Sequence, residues 1–503
     1  MNLLDLNALW SGFTMASTPG VLIAIALGML TGVVVGAIPG IKGTTAIAIL
    51  LPFTNKFPPI ISIMFLSSIY TAATYGGGIT AVLMGIPGTA GGIMTVFDGY
   101  EMTRNGRQNE ALGIGLICSC VGCFVGYLFL MFTIKSIGAV VLKFGPGEML
   151  MIVLFAISVI GILNNDILEC MYIGVLGLLL GTVGATAYGS PRGIFGILPL
   201  FEGIPLAAVS VAIMALAQVM LIINKKSVFK DEVTVQRDFA DILRGFRLPF
   251  VREKLNMLVS SVIGIVIGLL PAAGASVAAT VSYGYVKKIS KHKDNFGKGE
   301  PAGLVAAETS NNACEGGAMT TMMAFGVPGS GATALMMAAF IIAGFAPGPY
   351  MLRQSMDVVY SVIWGNLFGA FILVGVGLVF ISYFSKVIFV PMPILATVIT
   401  VLAVVGTFSS RQIMVDVYVL AVFLLLGVLL KLADYSIMAL ILGFILGTNL
   451  DAQLSRVIAL YGGRYEMMFS RPLFVALFLL NVAVFLSPVY KKLRSRPKES
   501  KAG

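Results

Sequence analysis

The apolar positions of this chain fall in long unbroken runs, not in the alternation of a strand or the stripe of a soluble helix. Runs near 60–86, 111–134, 147–163, 167–186 and 205–223 are followed, after a basic stretch, by runs near 302–326, 357–383, 387–407, 413–431, 435–450 and 471–490. Most approach the helix length that crosses a hydrocarbon core of roughly 30 Å. Lipid offers no water to satisfy backbone groups, so only helices or a closed barrel can span it. The short alternating strands of a barrel are absent from the pattern. The sequence predicts an all-α polytopic membrane protein with about 11–12 spans.

Composition removes the alternatives. Of 503 residues, 58% are hydrophobic and only 11% charged, against roughly 25% charged in a soluble domain. Such a chain cannot build the surface of a soluble enzyme or a secreted scaffold. The net charge of +10 is not a nucleic-acid footprint, because the basic residues sit in loops and the tail. Eight Lys/Arg fall between Asn224 and Lys254 and six after Tyr490, which predicts that both segments are cytoplasmic. The first 41 residues hold no Lys or Arg, so no cleavable signal peptide is expected. Cys118, Cys120, Cys123, Cys170 and Cys314 lie in apolar or Gly-rich context and read as packing residues. No cofactor is expected.

The chain also repeats itself. GVVVGAIPGIKGTTA (Gly32–Ala46) lies over GIVIGLLPAAGASVA (Gly264–Ala278), pairing Gly32 with Gly264, Gly36 with Gly268 and Pro39 with Pro271. YGGGITAVLMGIPGT lies over EGGAMTTMMAFGVPGS with one extra residue in the second copy. That alignment pairs Gly76 with Gly316, Gly77 with Gly317, Thr80 with Thr320, Pro87 with Pro328 and Gly88 with Gly329. The expected organisation is a first membrane repeat over 1–223, a basic connector over 224–256, a second repeat over 257–490 and a basic tail over 491–503. Basic segments flank residues 257–286 on both sides, and Pro271 divides them into halves of roughly 14 residues, too short to cross. This predicts a re-entrant hairpin, with a mate entering from the opposite face around Pro39-Gly40. Five spans between the copies invert the second, which is the architecture of two inverted-topology repeats with broken helices. The spacing of Gly122/Gly126 and Gly177/Gly181 is plain helix packing.

Chemistry is expected at four breaks: Pro39-Gly40, Gly76-Gly77-Gly78 with Pro87-Gly88, Pro271-Ala272, and Gly316-Gly317 with Pro328-Gly329. Broken helices at membrane depth are tolerated only against protein or a water-filled cavity. Each break is expected to leave a half-helix N-terminus suited to a carboxylate. Thr44, Thr45, Thr89, Ser276, Ser310, Asn311, Asn312, Thr320 and Ser330 cluster beside them as neutral donors. Lys42, Glu308 and Glu315 are ionisable at that depth, where an unpartnered charge is costly. Either Lys42 meets a substrate carboxylate while Glu308 or Glu315 takes part in ion coupling, or Lys42 and Glu315 pair to hold the repeats together.

At these residues the sequence resembles the large membrane subunit of the tripartite tricarboxylate transporters. The resemblance rests on GAIPGIKGTTAIAILLPFT, YGGGITAVLMGIPGTAGG and EPAGLVAAETSNNACEGGAMTTMMAFGVPGSGATA, and covers most of the chain. It implies a partnership with a small four-helix membrane subunit and a periplasmic solute-binding protein. It also implies uptake of tricarboxylates such as citrate, or other small organic anions, across the bacterial inner membrane, with sodium or protons as the coupling ion. The family pattern carries over to Pro39, Gly40, Gly76, Gly77, Pro87, Gly88, Asn311, Asn312, Pro328 and Gly329. Lys42 and Glu315 depart from it, which points towards a related carboxylate or a solute that also carries an amine.

An enzyme is not expected, since the only histidine, His292, lies in a basic loop and no H-E-x-x-H occurs. No nucleotide-binding G-x-x-x-x-G-K-[ST] occurs either, which leaves an ion gradient or a separate subunit as the energy source. An anion channel, or a carboxylate carrier that needs no binding protein, is the alternative.

Overall fold

Several helices begin where proline or aspartate sets the first turn, and three of the described ones end at a left-handed glycine, Gly85, Gly326 and Gly462. The computed structural model describes residues 4–38, 41–163, 167–186, 189–222, 238–271, 273–387 and 392–494. All eleven predicted runs are helical over most of their described length, and among the described residues the only strands are the pairs Gly184–Ala185 and Pro191–Arg192. Among the described residues six helices are long and apolar enough to cross a membrane by length and composition, including Pro19–Gly36, Pro59–Met84, Gln108–Val141 and Ile437–Tyr461. The protein is an all-α, multi-pass membrane protein.

The helices form two compact units, one of Met1–Val141 with Pro205–Leu429, the other of Leu142–Ile204 with Leu430–Gly503. In the second unit, helices Ile167–Gly181 and Ile437–Tyr461 cross through glycines. A methyl group added at Gly177 would lie 2.2 Å from the Leu440 carbonyl, and one at Gly443 would lie 2.1 Å from that of Gly174. Glu148, wholly buried there, pairs with Arg471 at 2.6 Å and accepts from the Gly145 amide at 2.9 Å. Asp451 pairs with Arg192 at 2.9 Å.

The first unit holds both copies of the repeat. Copy one runs α1 (Leu6–Ala16), α2 (Pro19–Gly36), α3 (Gly43–Thr54), α4 (Pro59–Met84) and α5 (Gln108–Val141). Copy two runs α6 (Phe239–Val251), α7 (Lys254–Gly268), α8 (Gly274–Ile289), α9 (Pro301–Phe325), α10 (Gly331–Ile342) and α11 (Met356–Val387). Asp5 caps α1 and Asp238 caps α6, each accepting a backbone amide on its side chain. The shared pattern Asp5, Leu9, Gly12, Phe13 over Asp238, Ile242, Gly245, Phe246 lies outside the two alignments drawn from sequence. α6 lies within the basic connector, of which 224–237 lie outside the described residues, as do 495–503 of the tail. The two opening helices are exchanged. α1 lies on α11, where the Trp364 indole donates to the Leu9 carbonyl at 3.2 Å, and α6 lies on α5, with Gly245 against the Glu110 backbone.

Glycine contacts fix the register of the hairpins on the core helices. Added methyl groups at Gly36 and Gly268 would each lie 2.3 Å from a carbonyl, that of Ala73 and of Cys314 respectively. Those at Gly76 and Gly317 would meet the carbonyls of Val33 and Ile265 at 2.6 and 2.3 Å. These matches share one constant shift of 241 residues in the core helices (73 to 314, 76 to 317), so there is no extra residue. The correct partners are Gly76 with Gly317, Gly77 with Ala318 and Thr80 with Thr321, one position from the alignment drawn from sequence. The reason is physical: α4 and α9 are continuous helices, and an inserted residue would turn the glycine face away from the hairpin. For the same reason Gly76-Gly77-Gly78 and Gly316-Gly317 are not breaks. They lie inside α4 and α9, which stop only at Gly85 and Gly326, in left-handed conformation at φ 66° and 68°.

The two core helices run antiparallel. Thr71 meets Glu315 at 2.7 Å, while a methyl group at Gly78 would lie 2.7 Å from a Glu308 oxygen, so one helix ascends as the other descends. Equivalent helices pointing in opposite directions are what inverted repeats require.

Asp98 ties the copies together. This buried carboxylate, carried by the π turn Val96–Tyr100, accepts from the amides of Gly297, Gly299 and Glu300 at 2.8, 3.0 and 2.8 Å. Its other oxygen accepts from the Tyr283 hydroxyl at 2.8 Å. It thus supplies the N-terminal cap of α9 from the opposite copy. Nearby, Arg107 is held above its usual range by its hydrogen bond to Glu110.

Thermal unfolding in detergent micelles tests both contacts. Asp98→Ala orphans three amides, one buried and two half-buried, and should lower stability by roughly 1–3 kcal/mol. An unchanged midpoint would refute the cap. Gly317→Ala should cost roughly 1–3 kcal/mol by overpacking a backbone contact. Gly284→Ala, on an open stretch of α8 with nothing within 4 Å, should be neutral or gain up to about 1 kcal/mol.

Candidate functional site

Beyond Gly85 and Gly326 the chain makes two Pro-Gly loops that fold back on the seam between hairpin and core helix. The Gly88 amide donates to the Gly77 carbonyl at 3.3 Å. A methyl group at Gly88 would lie 2.6 Å from the Gly77 Cα and 2.8 Å from the Gly36 carbonyl; one at Gly329 would lie 2.8 Å from the Ala318 Cα and 2.9 Å from the Gly268 carbonyl. Gly88, Pro328 and Gly329 are buried, Thr89 and Ser330 half-buried, and Pro87 exposed.

The segments after the loops differ between copies. Ser330 and Thr333 form a reciprocal cap on α10, the Ser330 side chain accepting from the Thr333 amide at 3.2 Å and the Thr333 hydroxyl from the Ser330 amide at 2.8 Å. The N-terminus of α10 is thus partly closed by its own side chains. After Pro87-Gly88 the chain makes a helical segment of the same length, Ile93–Arg104, which runs without interruption and carries the π turn Val96–Tyr100 at its centre. The first turns of α3 and α8, after the Pro39-Gly40 and Pro271 breaks, carry no side-chain cap, whereas that of α10 is closed by Ser330 and Thr333.

Polar side chains face these loops at equivalent positions. Asn311 is buried, and neither its amide nitrogen nor its amide oxygen has a hydrogen-bond partner. It lies against the first loop, where a methyl group at Gly91 would come within 2.1 Å of the Asn311 Oδ1. The residue that the 241 shift pairs with Asn311 is Tyr70, whose hydroxyl lies 3.4 Å from the Ser330 hydroxyl on the second loop. A carboxamide and a phenol thus occupy the same place in the two copies. Tyr70 sits inside an apolar run and gave no signal of its own.

The other candidates divide. Glu308 is wholly buried; Thr95 donates to its Oε1 at 2.5 Å and Ser119 to its Oε2 at 3.1 Å. Glu315 accepts from Thr71, which also lies 3.4 Å from the Asn366 Oδ1. Asn312 donates to the Glu308 carbonyl at 3.2 Å and keeps an unpartnered Oδ1. Lys42, the residue before α3, is exposed and forms no ion pair among the described residues. A Lys42–Glu315 pair is therefore not made, because Glu315 turns into the α4–α9 seam.

Ser310 and Thr320 bond back to their own helix, to the carbonyls of Ala306 and Gly316, each at 2.7 Å. Thr45 is buried and bonds to the Met214 carbonyl at 3.2 Å, a packing role. Thr44 and Ser276 are half-buried at the starts of α3 and α8. Gly76 and Gly77 serve contact between helix, hairpin and loop. Pro39, Gly40 and Ala272 lie outside the described residues. Thr95, Ser119, Thr71, Asn366 and Tyr70 are the polar groups that sequence reasoning missed.

The family model for the tripartite tricarboxylate transporter TctA family matches residues 22–442. An uncharacterized 52.8 kDa protein in the TAR-I ttuC' 3' region of Agrobacterium vitis is 32% identical over 487 residues, 96% of each chain. A second uncharacterized protein, in the TAR-II ttuC' 3' region of the same organism, is 28% identical over 46% of this chain and 96% of its own. No solved structure matches the chain significantly. With both Pro-Gly loops inside the matched span and a relative aligned from end to end, the chain belongs to the tripartite tricarboxylate transporter TctA family.

Proposed function

We propose that this protein is the large membrane subunit of a binding-protein-dependent secondary transporter that imports tricarboxylates or related small organic anions. In this reading it works with a small four-helix membrane subunit and a periplasmic solute-binding protein. It lies in the bacterial inner membrane with its N-terminus outside and its C-terminus cytoplasmic. A sodium or proton gradient drives uptake, with Glu308 and Glu315 as the coupling groups.

One observation carries the reading. Asn311 is buried beside a Pro-Gly loop with both amide atoms unmet, at the place where the other copy sets Tyr70 beside Ser330. Each unmet buried group costs roughly 1–3 kcal/mol, which favours a ligand as the missing partner. Neutral donors on loops from opposite copies suit an anion that must be released again. The exposed Lys42 is free to meet one of its carboxylates. The antiparallel core helices support alternating access around such a site.

Proteoliposomes holding this chain, the small subunit and the binding protein, with an imposed ion gradient, test it with labelled citrate. Accumulation above the external concentration is the expected result; flux that only dissipates a citrate gradient would mean a channel. Asn311→Ala should slow initial uptake about tenfold, the rate equivalent of roughly 1.4 kcal/mol. Asn311→Asp should slow it further by repelling the anion. Ser310→Ala should stay within about twofold, since that hydroxyl is spent on its own helix.

A further inference from the structure

The two buried glutamates of α9 are not alike. Both oxygens of Glu308 are met by hydroxyl donors. Glu315 accepts from Thr71 on its Oε2 at 2.7 Å and has the Thr74 hydroxyl as a second neighbour, but its Oε1 has no partner within hydrogen-bond distance although the residue is only 1% exposed. No lysine, arginine or histidine pairs with it among the described residues.

Oxygen atoms surround it instead. Asn366, on α11, anchors its amide nitrogen on the Val362 carbonyl at 2.9 Å and turns Oδ1 towards Thr71 at 3.4 Å and Ser67 at 3.0 Å. The Tyr127 hydroxyl, on α5, is buried beside the Ser67 hydroxyl and lies within electrostatic reach of Glu315. Tyr70, Cys123 and Cys314 are the other titratable groups close enough to feel its charge. A carboxylate, an amide oxygen and hydroxyls converging without a counter-charge make a hard ligand set for a bare metal cation. The next residue, Gly316, packs so tightly on α5 that an added methyl group would lie 2.2 Å from the Gly126 backbone.

We propose that Glu315, Thr71 and Asn366 form a binding site for a monovalent cation of the size of sodium, closed by the Tyr127 hydroxyl. The site belongs to one copy only, because the 241 shift pairs Glu315 with the neutral Thr74. It joins α4 to α9 one residue from Tyr70, and through Tyr70 to Ser330 on the second Pro-Gly loop. Occupancy therefore sets the separation of the two core helices that carry the anion groups. The proposal deepens the transport reading by naming its ion and rests on it for purpose, but binding can be measured without transport.

The test uses the purified full chain in nanodiscs, with labelled sodium binding and thermal unfolding in sodium chloride against choline chloride at equal ionic strength. Saturable sodium binding and a midpoint that rises with sodium are expected. Glu315→Gln should abolish both, and the shape-preserving Thr71→Val and Tyr127→Phe should weaken sodium binding about tenfold and a few-fold respectively. If Glu315→Gln does not elute as a monodisperse protein, the two milder variants decide. The site is overturned if all three bind sodium like the parent, if Glu308→Gln alone removes binding, or if the midpoint follows pH and ignores sodium. Sodium binding that depends on Glu315 in a chain that carries no citrate supports the site and counts against the transport reading alone.

Discussion

Helices in lipid have little hydrophobic reason to associate, because the tails around them are as apolar as their own side chains. Close approach of backbones is what remains, and this protein relies on it throughout. α2 on α4, α7 on α9, α5 on α9 and α6 on α5 each meet through glycines whose missing side chains leave room only for a facing carbonyl. Such contacts are stiff and specific in register, since sliding by one residue replaces a hydrogen with a side chain. The hairpins are locked on the core helices at Gly36 and Gly268, and the Pro-Gly loops come down on those same glycines. Loop position is thus a consequence of helix packing.

That packing also creates an interior in which polar groups must find each other. α9 buries Glu308, Asn311, Asn312 and Glu315 within two helical turns. The partners of the two glutamates come from α4, α5 and the segment after the first loop, while Asn312 bonds back to its own helix and Asn311 has none. The same segment sends Thr95 to Glu308 and Asp98 to the start of α9, so it grips one helix at its middle and its end. Its π turn brings both residues to the α9 side, a use often found for such turns at functional sites.

The sequence carried the all-α membrane fold class and the placing of its apolar helices, because these depend on local runs of apolar residues. It also carried the repeat, through Gly36 over Gly268 and Pro87 over Pro328. The helix register was lost by one position because glycine-rich text aligns almost as well when shifted, and only the facing carbonyls of Val33 and Ile265 decide between the two. Asn311 was legible as an amide beside a motif. Tyr70, Asn366, Ser119 and Thr95 were not, since a polar residue in an apolar run says nothing about which distant helix it will meet. Asp98 could not be read as a cap for a helix 200 residues away, for the same reason. Ser310 and Thr320 looked like ligands and are not, because a hydroxyl inside a helix can always turn back one turn to its own backbone.

The scaffold is symmetric and its chemistry is not. Under the 241 shift Glu308 stands where α4 has Ser67, Glu315 where it has Thr74, and Asn311 where it has Tyr70. All the buried carboxylate of the core pair lies on one helix. An anion held between the two Pro-Gly loops would sit close to that negative charge in a medium that screens it poorly. Repulsion of this kind weakens anion binding as long as the carboxylates are bare, and a cation or proton on either removes it. By linkage the anion then strengthens binding of the cation by the same factor. Coupling between ion and solute needs no more than this, provided the glutamates and the loops share one pair of helices, and they do.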